Sequence, residues 1–299
     1  MTSAVVLSTY NGKEYLTEQL DCIRNQSIKP DFVFIKDDKS TDGTQTLVSE
    51  YIQKYNLKWV FAENENNKGW KKNFYDLIDE CSADYIFLSD QDDIWHEKKI
   101  ELMLAQMENN REISVLVSKY CASSNVNKFK QQALKNKVCV EQLCFNEKAT
   151  YTMHPGCSYC FRKEFFNSIK EYYMPIFPHD AFLYRFALLT DSLYEINQVL
   201  LFHRLHGHNT GHESFSQLRN DIQFYELLNT KTLDYISTHE NLDKKEKKLA
   251  ILEKLQIWLK KRDYYYNNPS LSAFFNILRY HNCYPKFRTL IKEIFIANS

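Results

Sequence analysis

Tyr85-Ile86-Phe87-Leu88-Ser89-Asp90-Gln91-Asp92-Asp93-Ile94-Trp95 is the stretch on which the reading of this chain turns. A short apolar run bounded by polar residues is consistent with a strand buried on both faces, and three carboxylates crowd the point where it ends. In extended backbone, residues i and i+2 point to one side, so Asp90 and Asp92 can face a single ligand. Carboxylates held close together repel, and a cation relieves the repulsion. Hard oxygen ligands suit Mg²⁺ or Mn²⁺, which in turn bind diphosphate oxygens. The competing reading is an Asp-rich helix start favoured by the helix dipole.

Working outward, residues 4–8, 32–35, 59–61 and 113–117 read as further strands. Helical spacings separate them: Leu16, Leu20 and Ile23; Leu47, Val48, Tyr51, Ile52 and Tyr55; residues 70–81; and about 97–108. This alternation predicts an α/β fold, a Rossmann-like and mostly parallel central sheet with flanking helices. Ligands in such open sheets bind at the carboxyl ends of the strands. Those ends carry Thr9-Tyr10-Asn11, Asp37-Asp38 and Ser89-Asp90-Gln91-Asp92-Asp93. Acidic and hydroxyl-rich strand ends meeting in one crevice point to a phosphate-bearing ligand held through a cation.

Further along, residues 118–150 lose the pattern and turn basic, reading as a variable excursion or loop. Order resumes over 156–166, with a helix near 180–189 and short strands near 193–202. After Glu213 strand signals vanish, and Leu227, Leu228, Leu233, Ile236, Leu249, Leu252, Leu255 and Leu259 recur at helical spacings. The expected division is therefore a domain over 1–212 and a C-terminal α-helical subdomain over 213–299.

At 299 residues the chain can build one large domain with an appendage. Lys plus Arg equals Asp plus Glu at 38 each, so no global field attracts nucleic acid, and no nucleic-acid partner is expected. No apolar run is long enough for a signal peptide or a spanning helix, which sets the expected location as the cytoplasm. Eight cysteines in a reducing compartment argue against a disulfide framework. Cys139, Cys144, Cys157 and Cys160 could make a zinc site, but Cys157 and Cys160 lie in an apolar stretch where Cys serves as a small buried hydrophobe. They are not read as catalytic thiols, since no partnered base is identifiable.

Several segments now combine. VVLSTYNG at 5–12, KDDKSTDGT at 36–44, NNKGWKKNF at 66–74 and YIFLSDQDDIW at 85–95 resemble the family 2 glycosyltransferases, in that order. The resemblance continues through PGCSYCFRKEFF at 155–166, PHDAFLYRFALL at 178–189 and FHRLHGHNTG at 202–211, and is nearest to bacterial rhamnosyltransferase-like members that build surface polysaccharides. It implies a GT-A fold binding a nucleotide-diphosphate sugar. Thr9, Tyr10 and Asn11 match the motif that meets the nucleoside, with Tyr10 on the base and Asp38 accepting a hydrogen bond from it. Asn67, Gly69, Lys72 and Asn73 match the segment that closes over the nucleotide. Lys72 stands where many relatives carry Arg, which loses bidentate geometry and leaves a solvated helix-face lysine as the alternative.

The resemblance also makes Asp90 and Asp92 the DxD pair, with Asp92 as the direct metal ligand, and has Asp93 cap the next helix or bind the sugar. Pro155, Gly156, Cys157 and Ser158 match a segment lining the acceptor side. Asp180 is the implied catalytic base of an inverting single displacement, with an ordinary helix N-cap as the plain alternative. His179 orients that carboxylate or is structural. His206 is implied to join the metal shell, and Arg204 and Asn209 to bind phosphate; loop packing is the alternative for His206.

The expected reaction moves a sugar from UDP-sugar or dTDP-rhamnose to a lipid-linked or protein-linked saccharide acceptor, with Mn²⁺ or Mg²⁺. A sugar-phosphate nucleotidyltransferase would want a Gly- and Arg/Lys-rich loop after the first strand, and Ser8-Thr9-Tyr10-Asn11-Gly12 is not that. A non-catalytic nucleotide-sugar-binding partner protein has no need of Asp38, Asp90, Asp92 and Asp180 together. The helical tail interleaves basic and aromatic residues, as in Lys260-Lys261-Arg262-Asp263-Tyr264-Tyr265-Tyr266. That pattern fits peripheral contact at the inner face of the cell membrane, a homodimer interface, or a packed helical cap.

Overall fold

Residues Ser3–Thr9 form strand β1, whose side chains alternate between two apolar cores: Ala4 and Val6 enter one, Val5 and Leu7 the other. A strand covered on both faces has no polar side, which is why its sequence reads as an unbroken apolar run. The structure is a computed structural model that describes residues 1–132, 134, 137–205 and 215–297. After β1 come α1 (Lys13–Arg24), β2 (Phe32–Asp37), α2 (Thr44–Lys54), β3 (Val60–Glu63), α3 (Trp70–Glu80) and β4 (Tyr85–Ser89). Next are β5 (Ile94–Trp95), α4 (Lys99–Asn109), β6 (Val115–Ser123), α5 (Asn127–Gln132), β7 (Val140–Gln142), β8 (Tyr159–Arg162) and α6 (Lys163–Ile169). Then follow α7 (His179–Leu189), β9 (Leu193–Arg204), α8 (Phe215–Thr238), α9 (Lys245–Asn267), α10 (Leu271–Leu278) and α11 (Phe287–Ala297).

The strands join in one sheet, ordered β3-β2-β1-β4-β8-β6-β9-β5, with β7 pairing on β9. Its first four strands are parallel, as the strand–helix alternation predicted, while β8 enters antiparallel between β4 and β6. Helices α1, α2 and α4 cover one face; α3, α6, α7 and the C-terminal helices cover the other.

Three elements differ from the sequence reading. The excursion at 118–150 is partly sheet: β6 runs on to Ser123, and β7 returns to pair with β9. The short strands of 193–202 are one strand, β9, whose register against β6 shifts around Lys119. Its side chains are buried at Leu193, Ile196 and Leu200–Phe202 but not continuously, so the periodicity looked broken. Asp93 does not cap a helix. Ile94-Trp95 instead pairs antiparallel with Phe202-Leu201, and α4 begins only at Lys99.

The expected boundary near residue 212 lies outside the described residues. Helices α8 to α11 contribute Leu218, Leu228, Leu252, Trp258, Ile277 and Leu290 to the same apolar cluster as Ala4 and Val6. Arg262 is buried at 1% exposure and bridges Glu293 at 2.9 Å, so much of the basic–aromatic tail is a packed cap. Leu271, Phe275, Phe287 and Phe295 remain outside, each more than half exposed. No described helix is long and apolar enough to cross a membrane.

Candidate active site

The two acidic loops at the carboxyl edge of the sheet behave differently. Asp37 is fully buried, and its carboxylate accepts hydrogen bonds from Thr9 Oγ1 (2.8 Å), Ser40 N (2.7 Å), Ser40 Oγ (2.5 Å) and Gln45 Nε2 (2.9 Å). Asp38 is 1% exposed; Oδ1 accepts from Asn64 Nδ2 and Lys68 N, and Oδ2 from Gly69 N, all at 2.8 Å. Its carboxylate ties down the segment before α3 rather than standing open to a base. Asn67 reinforces the same turn, donating to the Asp38 carbonyl at 3.1 Å and accepting from Gly69 N. Gly69 has φ 80°, a conformation that excludes most other residues. Asn73 is a buried strut, donating to Ser8 Oγ (2.8 Å) and the Lys36 carbonyl (2.9 Å).

These bonds reassign part of the first motif. The Thr9 hydroxyl is turned inward to Asp37, and the Asn11 amide oxygen accepts from Thr41 N at 2.8 Å, so neither side chain faces the cleft. Asn11 has φ 47°, which asparagine tolerates better than most. Tyr10 does face it, 48% exposed. Lys72 is a helix-face lysine paired with Asp76, and its neighbour Lys71 lines a second cavity beside the cleft, donating to the Ile176 carbonyl at 2.8 Å.

Asp90, Asp92, Tyr10, His179, Asp180 and His203 line one cleft of about 420 Å³. Burial, with Asp93 and then Asp92 adding their charge, raises the Asp90 carboxyl to about 7, and His203 opposes the shift. Gln91 clips this loop to the first motif: its Oε1 accepts from Tyr10 N (2.8 Å) and its Nε2 donates to the Tyr10 carbonyl (3.0 Å). Asp93 is fully buried and absent from the cleft wall, so it does not reach a sugar there. It accepts from Arg204 N at 3.1 Å, and its Oδ1 lies 3.1 Å from His203 Nδ1, which locks β5 to the end of β9. Burial disfavours the charged imidazole of His203, but the Asp93 bond and the nearby carboxylates outweigh it and raise its pKa. Arg204 donates to the Asp92 carbonyl at 2.9 Å, pairs with Glu18 and stacks over Tyr15 at 4.7 Å, all next to the metal-type loop. His206 and Asn209 lie outside the described residues.

Asp180 sits in the first turn of α7. Gly156 packs directly against it: a Cβ there would lie 2.9 Å from His179 Nε2 and 3.2 Å from Asp180 Cβ. The backbone of Gly156 therefore makes a close approach to the cleft wall. His179 is buried against Phe74 at 4.1 Å, and burial lowers its pKa to about 4 although Asp180 pulls the other way. It is neutral at ordinary pH and holds the Asp180 segment by packing.

Three features escaped the sequence reading. Lys99 is fully buried, its ammonium bonded to the Cys157 carbonyl and 3.6 Å over the Trp95 ring. Burial lowers it to about 8, and it places a cation beneath the acidic loop. Its position at the start of a helix, where a lysine reads as solvent-facing, gave no signal. Asp93, Cys157 and His203 bring ligand-type atoms within 4.8 Å of one another. Burial, with Asp93 and Asp90, pushes the Cys157 thiol well up, so it is not a nucleophile. Trp70 stands between the cleft and a second, larger cavity.

The chain is similar in sequence and in fold to known proteins. The dTDP-rhamnosyl transferase RfbG of Shigella flexneri is 33% identical over 220 residues, 68% of this chain and 72% of that protein. S. aureus TarS in complex with UDP superposes with a TM-score of 0.65 at 17% identity, covering 99% of this chain and 89% of that one. The mannosyltransferase PcManGT of Pyrobaculum calidifontis, in complex with GDP-Man and Mn²⁺, gives a TM-score of 0.61 at 14% identity, covering 99% and 86%. These likenesses establish the GT-A-like fold. Residues 4–189, from the first strand through the helix that carries Asp180, match Glycosyl transferase family 2, and the chain belongs to that family.

Proposed function

We propose that the chain is an inverting, metal-dependent transferase that moves a rhamnosyl or other hexosyl unit from a nucleotide-diphosphate sugar to a saccharide acceptor. The observation that carries this reading is the meeting of Asp90, Asp92, Tyr10 and Asp180 in one cleft. Burial, and after it the charges of Asp93 and Asp92, raise the Asp90 carboxyl to about 7, and a divalent cation would offset both costs. Asp92 and Asp90 would hold Mn²⁺ or Mg²⁺ through hard oxygens. When bound, the ion offsets charge on the departing nucleoside diphosphate. Tyr10 packs on the base, and the turn built by Asp38, Asn67 and Gly69 closes over the nucleotide through its backbone. Arg204 stiffens the Asp92 loop through the carbonyl it binds.

Asp180 accepts the proton of the acceptor hydroxyl as that oxygen bonds to the anomeric carbon. The bond from that carbon to the diphosphate oxygen breaks, and its electron pair leaves with the nucleoside diphosphate. The RfbG relative favours dTDP-rhamnose as donor, and the UDP bound by TarS favours a UDP-sugar. Such a transfer belongs to the building of a bacterial surface polysaccharide or a glycoprotein glycan. The exposed Leu271, Phe275, Phe287 and Phe295, near the basic Lys286 and Arg288, are where peripheral membrane contact or a homodimer would form.

The test incubates the full chain with a panel of nucleotide sugars and Mn²⁺ or Mg²⁺ and follows release of nucleoside diphosphate. Release that requires the metal supports the proposal. Absence of both release and nucleotide binding favours a non-catalytic protein, and pyrophosphate release from a nucleoside triphosphate favours a nucleotidyltransferase.

A further inference from the structure

Lys99 opens α4 and has no solvent exposure. A buried ammonium is unfavourable unless opposite charge compensates it, so its neighbours show what it is there to balance. Two contacts fix its position: the ammonium donates to the Cys157 carbonyl and lies 3.6 Å over the Trp95 ring. Trp95 ends the short strand that follows the acidic loop, and Cys157 belongs to the turn whose Gly156 packs against Asp180. The charge is therefore held between that loop and that turn.

A carbonyl and an aromatic face hold a cation without cancelling it. Burial lowers the Lys99 pKa to about 8, while Asp93 and Asp90 are among the groups that pull the other way, so both carboxylates act on the ammonium. Two more basic side chains stand at the loop. His203 lies 3.1 Å from Asp93 Oδ1 with 26% of its side chain exposed, and Arg204 pairs with Glu18 with 17% exposed. Lys99 is the fully enclosed member of the three, so water and salt screen its field least. Coulomb's law gives the sign. A buried cation near Asp90 and Asp93 offsets the repulsion within the loop, and it opposes the approach of a second cation to the same carboxylates.

We propose that Lys99 is a positioning residue of the donor site: it is the resident countercharge of the acidic loop and holds down the loop's affinity for its divalent cation. The proposal rests on the metal reading of Asp90 and Asp92 given above. Lys99 does not line the cleft, so it acts through its field and not by touching a ligand.

Mn²⁺ titrated into the full chain at pH 7, with the free ion counted by its EPR signal, tests this without any turnover. Lys99→Met keeps most of the side chain's length and removes the charge; Lys99→Gln removes the charge and keeps a donor. Each is expected to bind Mn²⁺ about fivefold more tightly than the wild type, the scale of taking one unit charge away from a divalent ion. A purely structural role predicts the opposite, since a loosened loop binds the ion more weakly. Lys99→Arg, which keeps the charge, should stay within about twofold of the wild type, and adding Asp92→Ala to Lys99→Met should abolish the gain. Binding unchanged or weaker in both neutral variants, each with a wild-type circular dichroism spectrum, overturns the proposal and leaves the metal reading standing. An equal gain in Lys99→Arg overturns it too. Failure of the wild type and of every Lys99 variant to bind Mn²⁺ sinks the metal reading and the proposal together.

Discussion

The loop at Asp37-Asp38 and the loop at Asp90-Asp92-Asp93 are both acidic, both follow a parallel strand, and both end at the same edge of the sheet. They serve opposite ends. The first has its carboxylates saturated by internal donors, seven of them across the two residues. In the second, burial and mutual repulsion raise Asp90 to about 7. A carboxylate whose oxygens are filled by the fold builds a scaffold; one held against like charge is poised for a ligand. Asp93 shows the two roles side by side, since it belongs to the second loop but is buried and used to lock β9.

Substitutions should separate these roles. The largest effect is expected at Asp180: Asp180→Asn should lower turnover by about 10²–10⁴-fold, the usual contribution of a positioned base, with nucleotide affinity kept. Steady-state kinetics beside nucleotide titration reads both. Asp92→Ala should weaken metal-dependent nucleotide binding on the order of 100-fold, as expected when a carboxylate ligand is lost, and should leave the melting temperature nearly unchanged. Asp37→Ala should do the reverse. Four stranded donors in the interior should cost about 3 kcal/mol in urea unfolding, with the loss of activity following the loss of fold. A stable Asp37→Ala protein without nucleotide affinity would erase the contrast between the loops.

His179 sharpens it with pH. Its folded pKa of about 4 lies below the unfolded value near 6.5, so the neutral form is the one the fold favours. The stability it contributes is complete above pH of about 6.5 and is lost as pH falls through about 4, on the order of 3 kcal/mol. Urea melts from pH 7 to pH 4 should show this limb, and His179→Gln should flatten it. The smallest effect is expected at Lys72: its ammonium is paired with Asp76 on the helix surface, so Lys72→Ala should change nucleotide affinity less than about twofold.

Much of the architecture was legible because buried parallel strands and amphipathic helices write their periods plainly. Residues 4–8, 32–35 and 85–88 are strands in both readings. The site was legible as a set of strand ends, but not the direction of each side chain. Thr9 and Asn11 occupy the expected places, yet their polar atoms are turned to Asp37 and Thr41, a choice made by tertiary hydrogen bonding. Lys71 and Lys72 are neighbours about 100° apart around a helix, and the packing of α3 decides which lines the cavity beside the cleft. Lys99 carried no signal because a buried lysine is recognised only from what surrounds it. The wall that α8 gives to that cavity comes from 40 residues beyond Asp180, as Asn220 shows, and no local pattern links the two.

Calorimetric titration of UDP and dTDP into the full chain, with Mn²⁺ and then with chelator, addresses most directly whether Asp90 and Asp92 form a cation-assisted diphosphate site. Binding of one nucleotide that collapses on chelation, and that Asp92→Ala weakens on the order of 100-fold, is the expected result. Equal affinity with and without metal, unaltered in Asp92→Ala, would contradict it.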